Sequence, residues 1–181
     1  LFGGNTRYAK QRVFGAYEMI PGFLRRGLLE PLLNGTKLPG RIPGIKKAVS
    51  YVEQASVPMP DRMQMYNLIM RLGLEATLAE PLLASIDTHA PLRQQRDVWA
   101  AAHTSDATNR ELAYDWRYTL AECDLPKVCG TTRLAGVEVG FPLLDTDLLE
   151  FSLRLPPAYK LRGLKLRWFF KEALRGFLPE E

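Results

Sequence analysis

The chain has 181 residues, and its 46% hydrophobic content suits a folded protein with one buried core. The sequence has no run of about 18 apolar residues to span a bilayer and no N-terminal pattern of a secretory signal. A net charge of +4 permits an anionic partner without selecting one class. The two cysteines lie far from the two histidines, which argues against a zinc site. We therefore expect one cytoplasmic domain over residues 1–181, with no metal site, nucleic-acid partner or membrane anchor.

Apolar residues at helical spacing predict three helices in the first half of the chain. The first covers residues 9–20 and ends at Pro21, and the second covers residues 45–52. Asp61 is placed to cap a third helix, which we expect to continue to Gly73. Its methionines are interpreted as core residues, since methionine readily fills irregular gaps.

Two prolines and one short motif mark the helices in the middle of the chain. Pro81 and Pro91 each suit the first turn of a short helix, where a missing N–H costs nothing. Thr108 and Glu111 have the spacing of a capping box, and we expect the helix that they open to stop before Pro126.

The last third combines helices with one extended segment. Apolar side chains alternate over residues 137–141 as in a strand, which should end at Pro142. Asp145 is placed to cap a helix that stops at Pro156, and a last amphipathic helix covers residues 166–177. The sequence therefore predicts a mainly α fold.

Several groups of residues carry a resemblance to a known family. They are Phe2-Gly3-Gly4, Lys127-Val128, Glu138-Val139-Gly140-Phe141-Pro142-Leu143-Leu144-Asp145, Leu155-Pro156-Pro157 and Lys160-Leu161-Arg162-Gly163. In this order and spacing they resemble the C-terminal part of the ATP-dependent synthetase domain of asparagine synthetases. The resemblance implies the helical portion of an α/β domain of PP-loop type. The parallel sheet, the Ser-Gly-Gly-x-Asp-Ser loop and the acidic Gly-Gly-Asp-Glu motif would then lie upstream of Leu1.

The same resemblance implies a ligase that forms a carbon–nitrogen bond. Such enzymes attach AMP to a carboxylate of aspartate, release pyrophosphate, and let ammonia attack the activated carboxylate. A separate glutaminase domain supplies the ammonia. ATP and magnesium would be required, with most of their ligands upstream of Leu1, so the isolated chain is expected to be inactive.

The resemblance also implies individual site residues. Arg167 occupies the position of a lysine that contacts pyrophosphate, and arginine keeps the charge while adding a bidentate fork. Glu138 lies in the best-matching motif and would orient a basic group or the substrate. Gly3 and Gly4 would allow the backbone to approach the phosphates, and Lys165 is grouped with them as a cofactor-binding residue.

Structural interpretations of the two catalytic candidates remain open. Arg167 could belong to one solvated helix face with Lys171 and Arg175. Glu138 could form a buried ion pair with Arg133, because a buried carboxylate needs a partner. Two other positions that match the family, Asp115 and Lys127, could be surface ion-pairing groups of little energetic weight.

The chain departs from the family pattern at three positions. Cys129-Gly130 stand where the family has Asp-Arg, and Gly140 stands where it has Arg. A small carboxylate other than aspartate is therefore an alternative substrate. A non-catalytic helical scaffold that binds a partner is the alternative function. Helices that pack on a sheet outside these residues would expose apolar surface, so self-association is expected too.

Overall fold

The computed structural model describes residues 2–25, 27, 31, 43–65 and 67–177. Within these residues the chain is mainly helical, as predicted, and its strands form one two-stranded sheet. The chain divides into two compact units, of which the first contains Leu1–Arg12 and Trp99–Glu181 and the second contains Val13–Val98. A single domain over residues 1–181 stays a prediction.

The second unit contains or shares seven of the described helices. They are α1 (Thr6–Glu18), α2 (Gly22–Leu24), α3 (Pro43–Ser56), α4 (Asp61–Gln64), α5 (Leu68–Leu72), α6 (Glu80–Ser85) and α7 (Ala90–Ala100). The helices predicted around residues 9–20 and 45–52 and after Pro81 and Pro91 are confirmed. Pro81 lies in the first turn of α6, as expected.

The single helix predicted from Asp61 to Gly73 is wrong, because α4 and α5 are separate. Asn67 interrupts it by accepting a hydrogen bond from the backbone N–H of Ile69 at 3.0 Å, which makes Asn67 the N-cap of α5. Asp61 is the first residue of α4 and not its cap, because the N-cap is Pro60, and the Asp61 carboxylate pairs with Arg96. The end of α5 at Gly73 is confirmed.

A buried arginine organises the core of the second unit. The Arg62 side chain is 2% exposed, and its guanidinium lies 5.1 Å from the ring centroid of Phe14. It donates hydrogen bonds to the carbonyls of Val57 and Ala55 at 2.7 and 2.9 Å and forms an ion pair with Glu18. Because several acceptors satisfy it, this cation can remain buried.

The first unit carries the remaining elements. They are α8 (Ala107–Asp115), a π-helical segment (Trp116–Asp124), α9 (Leu125–Leu134), a 3₁₀ turn (Pro142–Leu144), α10 (Thr146–Arg154), α11 (Pro157–Lys160), β1 (Leu161–Arg162), β2 (Lys165–Leu166) and α12 (Trp168–Ala173). The two strands pair antiparallel, with Leu161 opposite Leu166. Tyr8, Leu112 and Leu161 form the buried core of this unit.

Both predictions about the ends of the helix after residue 107 are wrong. The N-cap of α8 is Asp106, whose carboxylate accepts from the backbone N–H of Asn109 at 2.8 Å, so Thr108 and Glu111 form no capping box. The helical path also does not stop before Pro126. It passes through the π-helical segment, and Pro126 lies in the first turn of α9, where its missing N–H is tolerated.

In the last third of the chain, one predicted helix cap is confirmed, whereas the predicted strand and the predicted length of the last helix are wrong. Asp145 caps α10 by accepting from the N–H groups of Asp147 and Leu148. Residues 137–141 form no strand, since no described strand lies beside them to complete a ladder. The last helix is shorter than predicted, because Leu166 belongs to β2 instead. Phe177 is 81% exposed and does not face inward.

Candidate functional site

Arg167 joins the small sheet to the last helix in an unusual backbone conformation. It directly follows β2 and is the N-cap of α12, with φ 53° and ψ 34°. Among the described residues it is the one non-glycine residue with positive φ. A side chain at a left-handed position costs about 1–3 kcal/mol, and such strain clusters at functional sites. The structure therefore holds Arg167 in place at an energetic cost.

The Arg167 guanidinium lies against Gly4 from the other end of the chain. A Cβ atom on Gly4 would lie 2.3 Å from Nε and 2.8 Å from Nη2 of Arg167, so a side chain there would displace the guanidinium. Gly3 has φ 67°, and a Cβ on it would lie 3.2 Å from the carbonyl oxygen of Lys160. The glycine pair thus fits between the Lys160 backbone and the Arg167 side chain. No carboxylate of the described residues pairs with Arg167.

Gly4 and Arg167 line one cavity of about 520 Å³. Most of its wall is apolar, with aromatic side chains from Phe2, Trp116, Phe141 and Phe170. Phe2 and Phe170 stack with ring centroids 5.3 Å apart. Asp124 and Arg167 are the charged residues among those described in this wall. The arrangement presents one cation at the edge of an apolar chamber, which suits an anionic group attached to an apolar body.

A second cavity of about 650 Å³ shares part of this wall. Gly140, Phe141, Pro142 and Leu144 line both cavities, and Cys129 lines the second. Two of the positions that depart from the family pattern, Cys129 and Gly140, are therefore brought together. A Cβ on Gly140 would have no atom within 4 Å, so the position opens onto free space.

The π-helical segment shapes the first cavity, and sequence reasoning missed it. Its last turn is closed by a bond from the N–H of Leu125 to the carbonyl of Leu120, five residues back. Both residues line the cavity, together with Trp116 and Asp124. Segments of π-helix occur frequently at functional sites, where they change the direction of side chains. In the sequence, Pro126 was the residue that could have indicated a change in the helix here. A proline at this position is equally compatible with the end of one helix and the first turn of the next.

Asp115 is buried and holds two elements together, which corrects its interpretation as a surface group. It accepts from the Tyr8 hydroxyl at 2.6 Å, from Thr119 at 2.9 Å and from the Arg7 guanidinium at 3.2 Å. Burial, reinforced by the Asp115 charge, raises the pKa of Tyr8 above its ordinary value. This network fixes the start of α1, which follows the Gly3-Gly4 turn. Lys127, by contrast, is exposed and pairs with Asp124 at 2.8 Å.

Lys160 is a buried cation that the sequence did not single out. It is 3% exposed, and its Nζ donates to Oδ1 of Asn109 at 3.0 Å. Burial lowers the pKa of Lys160, and the negative charge of Asp106 opposes that shift. Its backbone supports Gly3, so Lys160 belongs to the scaffold of the glycine turn.

The other site residues predicted from the resemblance lie apart from Arg167. Glu138 is exposed, is not among the residues that line either cavity, and forms no ion pair with Arg133 within the described part of the chain. The interpretation of Glu138 as half of a buried pair is therefore wrong. Lys165 is also exposed and lines a separate hollow of about 340 Å³ with Lys171 and Glu172. The structure brings Gly4 and Arg167 together and leaves Glu138 and Lys165 outside their cavity.

Two further properties concern metals and membranes. Across residues 2–25, 27, 31, 43–65 and 67–177, no three histidine, cysteine, aspartate or glutamate side chains cluster closely enough to hold a metal ion. None of the helices in this part of the chain is long and apolar enough to cross a membrane.

The mainly helical fold is consistent with the helical portion of a synthetase domain. The model of the asparagine synthase family matches residues 1–181. The chain belongs to the asparagine synthase family. No curated protein and no solved structure shows significant similarity to it. Membership confirms the resemblance seen in the motifs and supports an ATP-dependent ligase that forms amides.

Proposed function

We propose that the chain forms the pyrophosphate end of an ATP-dependent amide-forming ligase. The observation that carries this proposal is the placement of the Arg167 guanidinium on Gly4, at the edge of a cavity. Arg167 has no carboxylate partner in the described residues, so its N–H donors are available to phosphate oxygens. A guanidinium offers a planar fork that binds two such oxygens at once.

The chemistry requires charge neutralisation more than it requires a base. A carboxylate oxygen of the acceptor attacks the α-phosphorus of ATP, and the bond to the bridging oxygen breaks, so pyrophosphate leaves with that electron pair. Arg167 stabilises the charge that accumulates on this leaving group. Ammonia then attacks the acyl carbon, AMP leaves, and a proton is lost from nitrogen to give the amide.

The remaining residues have supporting roles in this proposal. Gly4 lets the guanidinium lie against the backbone, and Gly3 makes the turn that brings Gly4 there. Glu138 and Lys165, which are exposed, would contact substrate or nucleotide only from outside the Arg167 cavity. The acceptor is aspartate or another small carboxylate, ammonia comes from a glutaminase domain, and the enzyme acts in the cytoplasm with ATP and magnesium.

A non-catalytic scaffold is the second candidate, and a specific observation favours it. The positions of three charged family residues are occupied by Cys129, Gly130 and Gly140, and Glu138 is exposed and unpaired in the described structure. A decayed site would show this loss of charge. Arg167 argues for the ligase, because its backbone is strained and it has no carboxylate partner among the described residues, and a scaffold does not require a cation held at an energetic cost.

The complete gene product decides between the two candidates, because the 181 residues contain no Ser-Gly-Gly-x-Asp-Ser loop. It is incubated with ATP, magnesium, ammonium and a panel of carboxylic acids. The ligase predicts AMP and pyrophosphate in equal amounts, dependent on one of the acids. Absence of AMP with every acid, or formation of ADP and phosphate, would contradict the proposal.

A further inference from the structure

We infer that the acceptor acid carries one carboxylate on an apolar body, aromatic or branched aliphatic, and that this body occupies the chamber formed by the two adjoining cavities, between Cys129 and Phe170. The inference rests on the proposed function and narrows its substrate class. It follows from the wall of the two adjoining cavities, from the charges left in that wall, and from the space at Gly140.

The wall provides too few polar partners for aspartate. Aspartate carries two carboxylates and an ammonium, and each charge needs a partner once it is removed from water. Among the described residues that line the two cavities, Arg167 is the one cation. If it contacts pyrophosphate, no cation of these walls remains for a second carboxylate.

The two acidic residues in these walls are already engaged. Asp124 accepts from the Lys127 ammonium at 2.8 Å. Asp145 caps α10 by accepting from the N–H groups of Asp147 and Leu148 at 3.0 and 3.4 Å. A substrate ammonium at either carboxylate would share that carboxylate's negative charge with these existing donors. An acid without an amino group avoids this conflict.

The apolar surface matches a ring or a branched chain. Phe2, Trp116, Phe141 and Phe170 supply aromatic faces and edges, and the volume of about 520 Å³ lies within the range of cavities that hold small molecules. Contact with these side chains removes apolar surface of the ligand from water, which favours binding. A small dicarboxylate would leave most of this surface uncovered.

The absence of a side chain at Gly140 affects the volume that the chamber offers to the acid. Its backbone is outside the left-handed region and a Cβ there would meet no atom within 4 Å, so neither strain nor packing requires glycine. Gly140 lines both cavities, so an arginine at this position, as in the family pattern, would add a cation at the wall that they share. The missing side chain therefore enlarges the chamber and removes the partner for a second carboxylate.

Protection of a cysteine tests binding without requiring catalysis. Both cysteines are exposed, but Cys129 lines the second cavity and Cys123 lines neither cavity, so the two thiols give an internal comparison. Alkylation of each is followed by mass spectrometry with 3-phenylpropionate, 4-methylpentanoate or aspartate present. We expect the two apolar acids to slow modification of Cys129 alone, and aspartate to protect neither. Equal or better protection by aspartate, or no protection by any acid, overturns the inference.

Acid-dependent ATP–pyrophosphate exchange by the complete gene product gives the second test. We expect kcat/KM for an apolar acid to exceed that for aspartate by about 10²-fold, a discrimination that unpaired polar groups readily provide. Gly140→Arg should lower kcat/KM for the apolar acids at least ~10-fold and raise it for aspartate. Gly15→Arg is the matched control, because a Cβ on Gly15 in α1 also meets nothing within 4 Å.

The two tests separate failure of the inference from failure of the proposed function. Exchange that prefers aspartate overturns the inference and leaves the ligase intact. Protection of Cys129 by apolar acids, without exchange for any acid, supports the apolar chamber and contradicts the ligase. Circular dichroism of Gly140→Arg checks that it folds, and Gly140→Leu, which fills the chamber without a charge, should lower exchange with apolar acids and gain none with aspartate.

Discussion

Gly4 and Arg167 are in direct contact, and their contact leaves no space for a side chain on Gly4. The Cβ of an alanine would lie 2.3 Å from Nε and 2.9 Å from Cζ of Arg167, well inside van der Waals distance. The two residues come from opposite ends of the sequence. Their contact links the Gly3-Gly4 turn to the strained start of α12.

Gly4→Ala should therefore displace the guanidinium and impair the reaction. Gly4 does not have positive φ, so alanine is compatible with the backbone and the clash is the main effect. We expect turnover of the complete gene product to fall by ~10–10²-fold, less than for loss of the guanidinium, because one preorganised donor is misplaced and not removed. Steady-state AMP formation measures this.

Gly15→Ala is the control for that substitution. It lies within α1, and a Cβ there meets no atom within 4 Å. Alanine should leave turnover unchanged and stabilise the helix by about 0.5–1 kcal/mol. Equal turnover in both variants would show that the contact between Gly4 and Arg167 has no catalytic role.

Arg167→Gly should make the protein more stable while it becomes less active. Glycine adopts φ near 53° without steric cost, so the strain at this position is released. We expect the free energy of unfolding to rise by only about 1 kcal/mol, because the greater entropy of glycine in the unfolded chain offsets part of the released strain. Urea denaturation measures the change, and a clear decrease in stability would argue that the Arg167 side chain has a structural role.

The Tyr8–Asp115 contact predicts a loss of stability in alkali. Burial and the Asp115 charge raise the pKa of Tyr8, so folded Tyr8 stays protonated where the unfolded chain loses that proton. The contribution is fully present below pH ~10 and decreases above it, by up to about 1.4 kcal/mol per pH unit. Tyr8→Phe should show a smaller decrease than wild type in urea titrations between neutral pH and pH ~11.

Tyr159→Phe provides the comparison, because Tyr159 is exposed and its hydroxyl has no buried carboxylate partner in the described structure. The stability of this variant should follow the wild-type pH dependence. If Tyr8→Phe also followed it, the Tyr8–Asp115 hydrogen bond would not control stability in this range.

Local sequence signals predicted much of the fold. Several of the wrong predictions concern features that contacts between residues distant in sequence determine. The Asp145 cap and the starts of α6 and α7 depend on a few adjacent residues, so the sequence contained them. Burial of Asp115 depends on Tyr8, which lies 107 positions earlier. No local pattern shows that contact. The break at Asn67 shows a different failure, since an asparagine that caps a second helix resembles one exposed on a continuous helix.

The candidate site also has features that the sequence predicted and features that only the structure shows. The motif resemblance identified Arg167 and Gly4, and the structure adds that they touch. The motif also suggested Glu138 and Lys165, but a sequence motif alone does not show which surface or cavity a side chain reaches. The π-helical segment could not be predicted either, because apolar spacing does not distinguish a π-helical turn from an α-helical one.

Exposed apolar side chains predict self-association of the isolated chain. Leu134 is 89% exposed and Val137 is 58% exposed, close together at the end of α9. Such groups favour association when they form a patch. Sedimentation velocity should show a weight-average mass that rises with concentration, and a smaller rise for Leu134→Gln combined with Val137→Gln. A monomer at every concentration would rule this out.

The rate of AMP formation by Arg167→Ala tests the central claim most directly. If the guanidinium stabilises the charge on departing pyrophosphate, turnover of the complete gene product should fall by ~10²–10³. Arg167→Lys should retain an intermediate rate, because it restores the charge without the fork. Lys165→Ala, in the neighbouring hollow, should have a smaller effect than Arg167→Ala. A folded Arg167→Ala enzyme with near-wild-type turnover would contradict the account and make Arg167 part of a solvated helix face.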